Sequence, residues 1–384
     1  MRILVFANAF HIISGGDKIF AEYSKRWIKS GEKISIITNE KGKIFCLNHG
    51  INSANVWIWK TSFTDKFGVF ISSVYKSLNS LIRCFFLNIR SIDAIFSSSN
   101  LWPDVFPAFI IKIRKPKVLW FSACYLKVPS PFNRDGKMKS LSGLIFYIVQ
   151  QISLKLIRIR ADAIFTASPI DCKSFYNGRL TPKRVIAIRG GVDFELFQRV
   201  PKQKAKFDAV FVGRLHPQKC LEELLDIWRE VSKKDSPKRK LAIVGTGPLE
   251  NKLRKKVMKE NMKNNVMFLG LLDGVEKAKV LKASRLFVSA SIFDSGNMAL
   301  DEALACGLPG VIYNLPRLYY PKGVIKIPCF QKKTFVKTIL KLLNSEDRRI
   351  QLGKEGKKFA KGLNWDIGAA KSLKFIKEIN SFNF

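Results

Sequence analysis

The chain predicts an α/β protein made of two Rossmann-like domains, each built on a parallel sheet. Three observations carry this reading. Short apolar runs alternate with helical patterns along the chain, as in parallel-sheet proteins. A turn-rich break, Arg189-Gly190-Gly191-Val192-Asp193, lies near the middle, and 384 residues exceed one ordinary core. An apolar content of 47% with 12% aromatics is ample for two folded cores and excludes extensive disorder.

In the first half, strands are expected at 2–6, 33–38, 55–59, 93–96, 117–121 and 162–166, with helices over 16–30, 69–90, 104–114 and 140–160. Met1-Arg2 and the apolar run 3–10 mimic a short signal peptide. The run stops at Ser14-Gly15-Gly16-Asp17, however, so a first buried strand feeding a glycine loop explains it better. Residues 69–89 are long enough to span a bilayer, but Lys76, Asn79, Ser80 and Arg83 interrupt them. Phe70, Val74, Leu78, Leu81, Phe85 and Ile89 recur at helical spacing, which predicts an amphipathic helix instead. In 142–160, Leu144, Ile148, Ile152, Leu156 and Ile159 form an apolar side, with Lys155, Arg158 and Arg160 as cations and Lys137 and Lys139 upstream. Such a helix is expected to cover the first sheet and also to suit a membrane surface.

The basic stretch 199–206 reads as a linker between a first domain over 1–198 and a second over 207–365, with a last helix over 366–384. Strands are expected at 209–212, 241–244, 266–269 and 286–289, and helices at 219–231, 249–260 and 275–283. Leu221, Leu224, Leu225, Trp228 and Val231 share one face of the first of these helices. Ligands of such folds bind beyond the carboxyl ends of the strands, which predicts a cleft between the two domains.

The charge balance is unusual, with 67 Lys and Arg against 30 Asp and Glu, a formal +37. That field favours nucleic acid, anionic lipid headgroups or phosphorylated substrates without choosing among them. No nucleic-acid module accompanies it, so nucleic acid is not an expected partner. Seven scattered cysteines and three histidines indicate neither a disulfide framework nor a zinc site, and reduced thiols in a cytosolic compartment are expected.

The most telling stretch is Asp294-Ser-Gly-Asn-Met-Ala-Leu-Asp-Glu302, followed by a helix that stops at Gly307 and Pro309. Ser295-Gly296-Asn297 has the composition of a turn that lets backbone approach a ligand. Asp294 on the loop and Glu302 inside the helix are placed to grip two hydroxyl-bearing parts of one ligand, and free N–H groups near Met298 to hold a phosphate between them. Set against this is the plain reading of an acidic helix start favoured by the macrodipole. Gly213-Arg214-Leu-His216-Pro-Gln-Lys219 ends another strand and aims two cations at the ligand-facing edge, the charge a departing diphosphate needs. Gly15-Gly16 fits a loop closing over phosphate, although a tight turn also needs glycine. Gly245-Thr246-Gly247-Pro248 reads as a structural turn, and His216 as a loop residue.

Taken in order, Gly15-Gly16, Gly191-Val192-Asp193, Gly213-Arg214 with Lys219, 266–270, Asp294 with Glu302, and Asn364-Trp365-Asp366 resemble the retaining glycosyltransferases of family 4 over nearly the whole chain. The resemblance implies the two-domain GT-B fold and a metal-independent retaining hexosyltransferase without a cofactor. Its last helix would cross back to the first domain. Arg214 and Lys219 would bind the donor diphosphate, Asp294 the donor sugar and Glu302 the ribose. Gly213, Gly296, Asn297 and Met298 would line the donor site, and Gly15 and Gly16 would approach phosphate and acceptor. A donor phosphate oxygen would take the acceptor's proton.

Three departures stand out. Asp294 replaces the usual glutamate, Cys220 replaces a glycine after the motif lysine, and 119–123 lack a histidine that commonly contacts the donor sugar, with Ser122 as a substitute donor. The expected protein is therefore a cytoplasmic, peripheral membrane glycosyltransferase of cell-surface glycoconjugate synthesis, with a nucleotide-sugar donor and a lipid-linked or glycan acceptor. The alternatives are a GT-B-type epimerase or phosphorylase and a non-catalytic nucleotide-sugar-binding protein.

Overall fold

The computed structural model describes residues 1–10, 15–89, 91–125, 127–128, 141–234 and 239–381, and of 69, 141 and 142 the backbone alone. Lys137 and Lys139 lie outside the described residues. The chain divides into two compact units, Met1–Gly190 with Trp365–Phe384, and Gly191–Asn364.

The first unit runs β1 (Arg2–Ala7), α1 (Gly15–Lys29), β2 (Lys33–Thr38), α2 (Glu40–Asn48), β3 (Val56–Ile58), α3 (Val69–Phe86), β4 (Ala94–Ser97), α4 (Trp102–Arg114), β5 (Leu119–Cys124), α5 (Leu141–Arg160), β6 (Ala163–Thr166), α6 (Pro169–Lys173) and β7 (Val185–Ala187). Its seven strands are parallel in the order β3-β2-β1-β4-β5-β6-β7. The strands are near-continuous apolar runs because helices cover both faces, and every residue of β4, β5 and β6 is buried.

The second unit contains α7 (Phe194–Arg199), β8 (Phe207–Val212), α8 (Leu221–Lys234), β9 (Leu241–Val244), α9 (Glu250–Lys259), β10 (Val266–Gly270), α10 (Gly274–Lys282), β11 (Ser284–Ser289), α11 (Met298–Ala305), β12 (Gly310–Tyr313), β13 (Val324–Ile327), α12 (Lys332–Leu343) and α13 (Glu346–Lys361). Its six parallel strands are ordered β10-β9-β8-β11-β12-β13. The face Leu221, Leu224, Leu225, Trp228 and Val231 of α8 is wholly buried.

The chain returns to the first unit as α14 (Trp365–Ser381), which packs on α1. Trp27 Nε1 donates to Ser372 Oγ at 3.0 Å, and Tyr23 meets Trp365 edge-on at 6.0 Å. The division falls at Gly190–Gly191, ahead of the basic 199–206 stretch. Those residues belong to the second unit, because Phe197 and Val200 are buried in its core and Lys206 N–H bonds to Ala283 O.

One helix departs from its expected orientation. Of the apolar residues at helical spacing, Leu78 and Phe85 are exposed, and the buried face of α3 is instead Ser72, Ser73, Lys76, Ser77, Ser80 and Cys84. The small side chains let α3 lie close against α4. Their hydroxyls are satisfied locally, as Ser77 and Ser80 each donate to the carbonyl four residues earlier.

In both sheets the strand order reverses once, between β1 and β4 and between β8 and β11. The loops leaving a reversal point have no crossover helix above them, so ligands collect there in this fold class.

Candidate active site

In the second unit the reversal point is formed by the loops after β8 and β11. The first holds Gly213, Arg214, His216 and Lys219, and the second holds Asp294, Gly296 and Asn297 before α11. The two loops are tied by a backbone bond from Ile292 N–H to Gln218 O at 3.1 Å. Lys219 Nζ also pairs with Asp294 Oδ2 at 2.6 Å, with the two side chains 15% and 11% exposed. The structure thus joins Lys219 to Asp294, residues expected at separate ends of the donor.

Arg214 differs. Its half-buried guanidinium makes no hydrogen bond or ion pair among the described residues, and burial lowers its pKa below the usual arginine range. A cation partly stripped of water and lacking a protein anion is poised for a ligand's negative charge. His216 lies beside it. Burial, then the charges of Arg214 and Lys219, depress its pKa, so at neutral pH its ring is uncharged; its buried Nδ1 has no partner. Its place in the sequence between Arg214 and Lys219 favours the neutral imidazole.

The turn 245–248 supports this loop from behind. Gly213 N–H bonds to Val244 O and Leu215 N–H to Thr246 O, at 3.0 and 2.9 Å. Gly245 has φ +129°, and a Cβ there would sit 2.1 Å from Gly213 O, so only glycine fits. At the end of the Arg214 loop, Cys220 takes a left-handed conformation, φ 46° and ψ 45°. This backbone explains why a glycine was expected at that position. Cys220→Val is expected to destabilise the protein by about 1–2 kcal/mol, and Cys220→Gly to change stability by less than about 1 kcal/mol. Urea unfolding of the two variants checks the contrast.

Asn297 caps α11, its Oδ1 accepting from Leu300 N–H at 3.1 Å, and its carbonyl lies 3.0 Å from Tyr320 Oη. Its side chain therefore builds the helix start. Met298 is the first residue of α11, and Gly296 has open space where a Cβ would stand. Glu302, 7% exposed, is gripped by Lys277 Nζ at 2.8 Å, and Lys277 also reaches Asp273 at 2.8 Å. Burial works against the Lys277 charge, but Glu302 and Asp273 together hold its pKa above the ordinary lysine value. No motif marks Lys277, which lies on α10, 25 residues before its partner.

Gly15 and Gly16 begin α1 in the first unit, at that sheet's own reversal point. The loop before them is anchored by buried polar groups. Asp104 accepts from Asn8 N–H at 2.6 Å and Ala9 N–H at 3.2 Å, and Lys76 Nζ donates to Phe10 O at 3.0 Å. Burial pushes the Asp104 carboxyl up to about 7, opposed by bonds from Ser99 and Asn8. Ser122 is fully buried and accepts from Ser97 Oγ at 2.9 Å within the sheet, which corrects its expected role as a donor to sugar.

Residues 192–359 match the family described as glycosyl transferases group 1. The structure is similar to that of Anabaena Alr3699/HepE in complex with UDP and glucose, with a TM-score of 0.74, 12% identity, and 98% of this chain and 100% of that one covered. The fold is that of the GT-B glycosyltransferases. Alpha-monoglucosyldiacylglycerol synthase of Acholeplasma laidlawii is 26% identical over 160 residues, 41% of this chain and 38% of that protein. UDP-Gal:alpha-D-GlcNAc-diphosphoundecaprenol alpha-1,3-galactosyltransferase of Escherichia coli is 28% identical over 147 residues, 35% and 38% of the two chains. The chain spans 38% of the length of each of these curated relatives in the matched region.

Proposed function

We propose that this protein is a retaining, metal-independent hexosyltransferase that uses a nucleoside-diphosphate sugar as donor. Its acceptor is lipid-linked or a glycan in cell-surface glycoconjugate synthesis, and it works at the cytoplasmic face of an anionic membrane. The observation that carries the reading is Arg214, a half-buried cation without a partner among the described residues, in the same loop as Lys219 of the Lys219–Asp294 pair at a sheet reversal point. The GT-B fold and the two lipid-modifying relatives support the same activity.

In the proposed reaction, the bond between the sugar's anomeric carbon and the diphosphate oxygen breaks, and its electron pair leaves with the nucleoside diphosphate. The acceptor oxygen bonds the anomeric carbon from the same face and passes its proton to a phosphate oxygen. Arg214 and Lys219 stabilise the charge growing on the leaving group, the role a metal would otherwise fill. On donor binding, Lys219 turns from Asp294 toward phosphate, which releases the carboxylate to a sugar hydroxyl. Glu302, oriented by Lys277, receives the ribose hydroxyls. The α11 N-terminus, built by Gly296, Asn297 and Met298, faces the diphosphate, with Gly213 giving it room.

A panel of nucleotide-sugars screened by thermal shift and donor hydrolysis tests this, since a ligand at 100 times its Kd stabilises by about 2.7 kcal/mol. No stabilisation by any donor would overturn it. Asp294→Asn is expected to spare the sugar-free nucleotide and weaken the full donor, whereas Glu302→Gln weakens both. Titrating each variant with both ligands checks the split, and equal losses would remove it. A second reading, a binding protein without turnover, is favoured by Ser122 being sealed against Ser97 where a sugar contact was expected. Donor binding without hydrolysis or transfer would establish it.

A further inference from the structure

α3 is built inside out. Its buried face is serine, lysine and cysteine, while Ile71, Tyr75, Leu78, Ile82, Phe85 and Phe86 are 39–86% exposed. These residues recur every three or four positions, so they form one stripe along an 18-residue helix. The preceding turn extends it. Phe63, 56% exposed, meets Tyr75 edge-on at 5.3 Å, and the Lys66 ammonium lies over exposed Phe67 at 5.0 Å. A helix in water turns its apolar side to the core. One that turns it outward, with Ser72, Lys76, Ser77 and Ser80 hydrogen-bonded behind it, is suited to a second apolar phase.

Charge identifies that phase. Residues 40–93 contain seven Lys and Arg against three acids, Glu40, Asp65 and Asp93, and Lys41, Lys60, Lys66 and Arg83 are exposed. Asp65 is bound to Lys41 and Lys76, and although burial opposes it, these bonds hold its pKa down to about 2, so it stays charged against them. Two copies of a +37 chain meeting at so cationic a face repel each other. An anionic lipid surface attracts the cations and accepts the apolar stripe. No described helix is long and apolar enough to cross a membrane, so α3 lies along the surface.

The alternative docking helix is less suited. In α5, Arg158 is committed within the unit, donating to Ser174 O at 3.1 Å and lying 5.5 Å from the Phe175 ring. Its outward apolar residues Ile148, Ile152 and Ile159 are 48–49% exposed and interleaved with Lys155.

We propose that the outer stripe of α3, with Phe63 and Phe67, is the surface by which this protein docks on an anionic lipid bilayer. This deepens the membrane-surface part of the proposed function and names the element responsible. The same helix bonds the β1–α1 loop through Lys76 on its inner face, which ties that loop to the docked helix.

The test is sedimentation of the full chain with phosphatidylglycerol–phosphatidylcholine vesicles and with pure phosphatidylcholine vesicles. Ile82→Ser with Phe86→Ser, at residues 63% and 86% exposed, is expected to weaken binding to the anionic vesicles by at least about tenfold. Lys155→Gln with Arg160→Gln is expected to change it less than about twofold. At 1 M salt the wild type retains a fraction of its binding through apolar contact, and the α3 variant retains none. Leu78→Ser, on the same stripe, provides an independent variant of the same sign, and melting curves with a bound nucleotide-sugar confirm that each variant is folded. Wild-type binding by the α3 variants, or its loss only in the α5 variant, overturns the proposal. A wild-type dimer that the α3 variants split, without vesicle binding, overturns it in favour of a second copy. Vesicle binding and donor turnover are separate readouts, so loss of one reading leaves the other standing.

Discussion

Arg214→Ala is expected to reduce turnover by roughly 10²–10³-fold, the cost of removing one preorganised donor to developing negative charge. Its guanidinium has no hydrogen-bond or ion-pair partner among the described residues, so folding stability is expected to change little. Lys219→Ala removes a cation of the same kind and also strands Asp294, an acid 11% exposed, beside the diphosphate. Lys219→Ala therefore is expected to lower nucleotide affinity more than Arg214→Ala does. Adding Asp294→Asn to Lys219→Ala removes the stranded charge and is expected to restore part of that affinity. Single-turnover rates and nucleotide titrations of the four proteins check the pattern. Near-normal turnover in Arg214→Ala, or no restoration in the double variant, would sink these assignments.

Lys277→Met is expected to cost about 3–5 kcal/mol, the usual penalty when one partner of a buried ion pair is removed. Glu302 is 7% exposed and would be left without its lysine, whereas Asp273 is 78% exposed and water replaces the lost contact there. For a unit of this size the change corresponds to a fall of about 6–20 °C in Tm. Combining Lys277→Met with Glu302→Gln removes the stranded charge and is expected to recover much of the loss. A melting temperature within about 2 °C of wild type for Lys277→Met alone would show that the pair is not held as described.

Period and turn chemistry in the chain made most of both sheets readable. The expected strands 33–38 and 241–244 coincide with β2 and β9, and the α8 face is buried as its spacing required. β12 and β13 were missed, because Gly310–Tyr313 and Val324–Ile327 are four-residue runs with no alternation to distinguish them. α3 shows the limit of periodicity, which locates an apolar stripe but does not say whether it meets the core. Arg214, Lys219 and Asp294 could be singled out as candidates because each lies in a strand-to-helix loop, and Glu302 because it lies inside the helix that follows. The pairings Lys219–Asp294 and Lys277–Glu302 were not legible, since they join residues 75 and 25 positions apart. The 245–248 turn was legible as a turn, but its contact with Gly213 depends on β8 and β9 being neighbours in the sheet.

The return of α14 to α1 has a consequence for how the chain is made. Contacts such as Trp27–Ser372 and Arg26–Asp366 join residues 345 and 340 positions apart. On the ribosome, the first unit emerges with the Trp27 side of α1 uncovered, and everything after Gly190 must follow before the last helix arrives. At 5–20 residues per second that wait is about 10–40 s, long on the timescale of collapse and aggregation. During it an incomplete first unit exposes both the surface reserved for α14 and the outward stripe of α3. Chaperone holding, or early capture of α3 by a nearby bilayer, would protect the nascent protein through that interval.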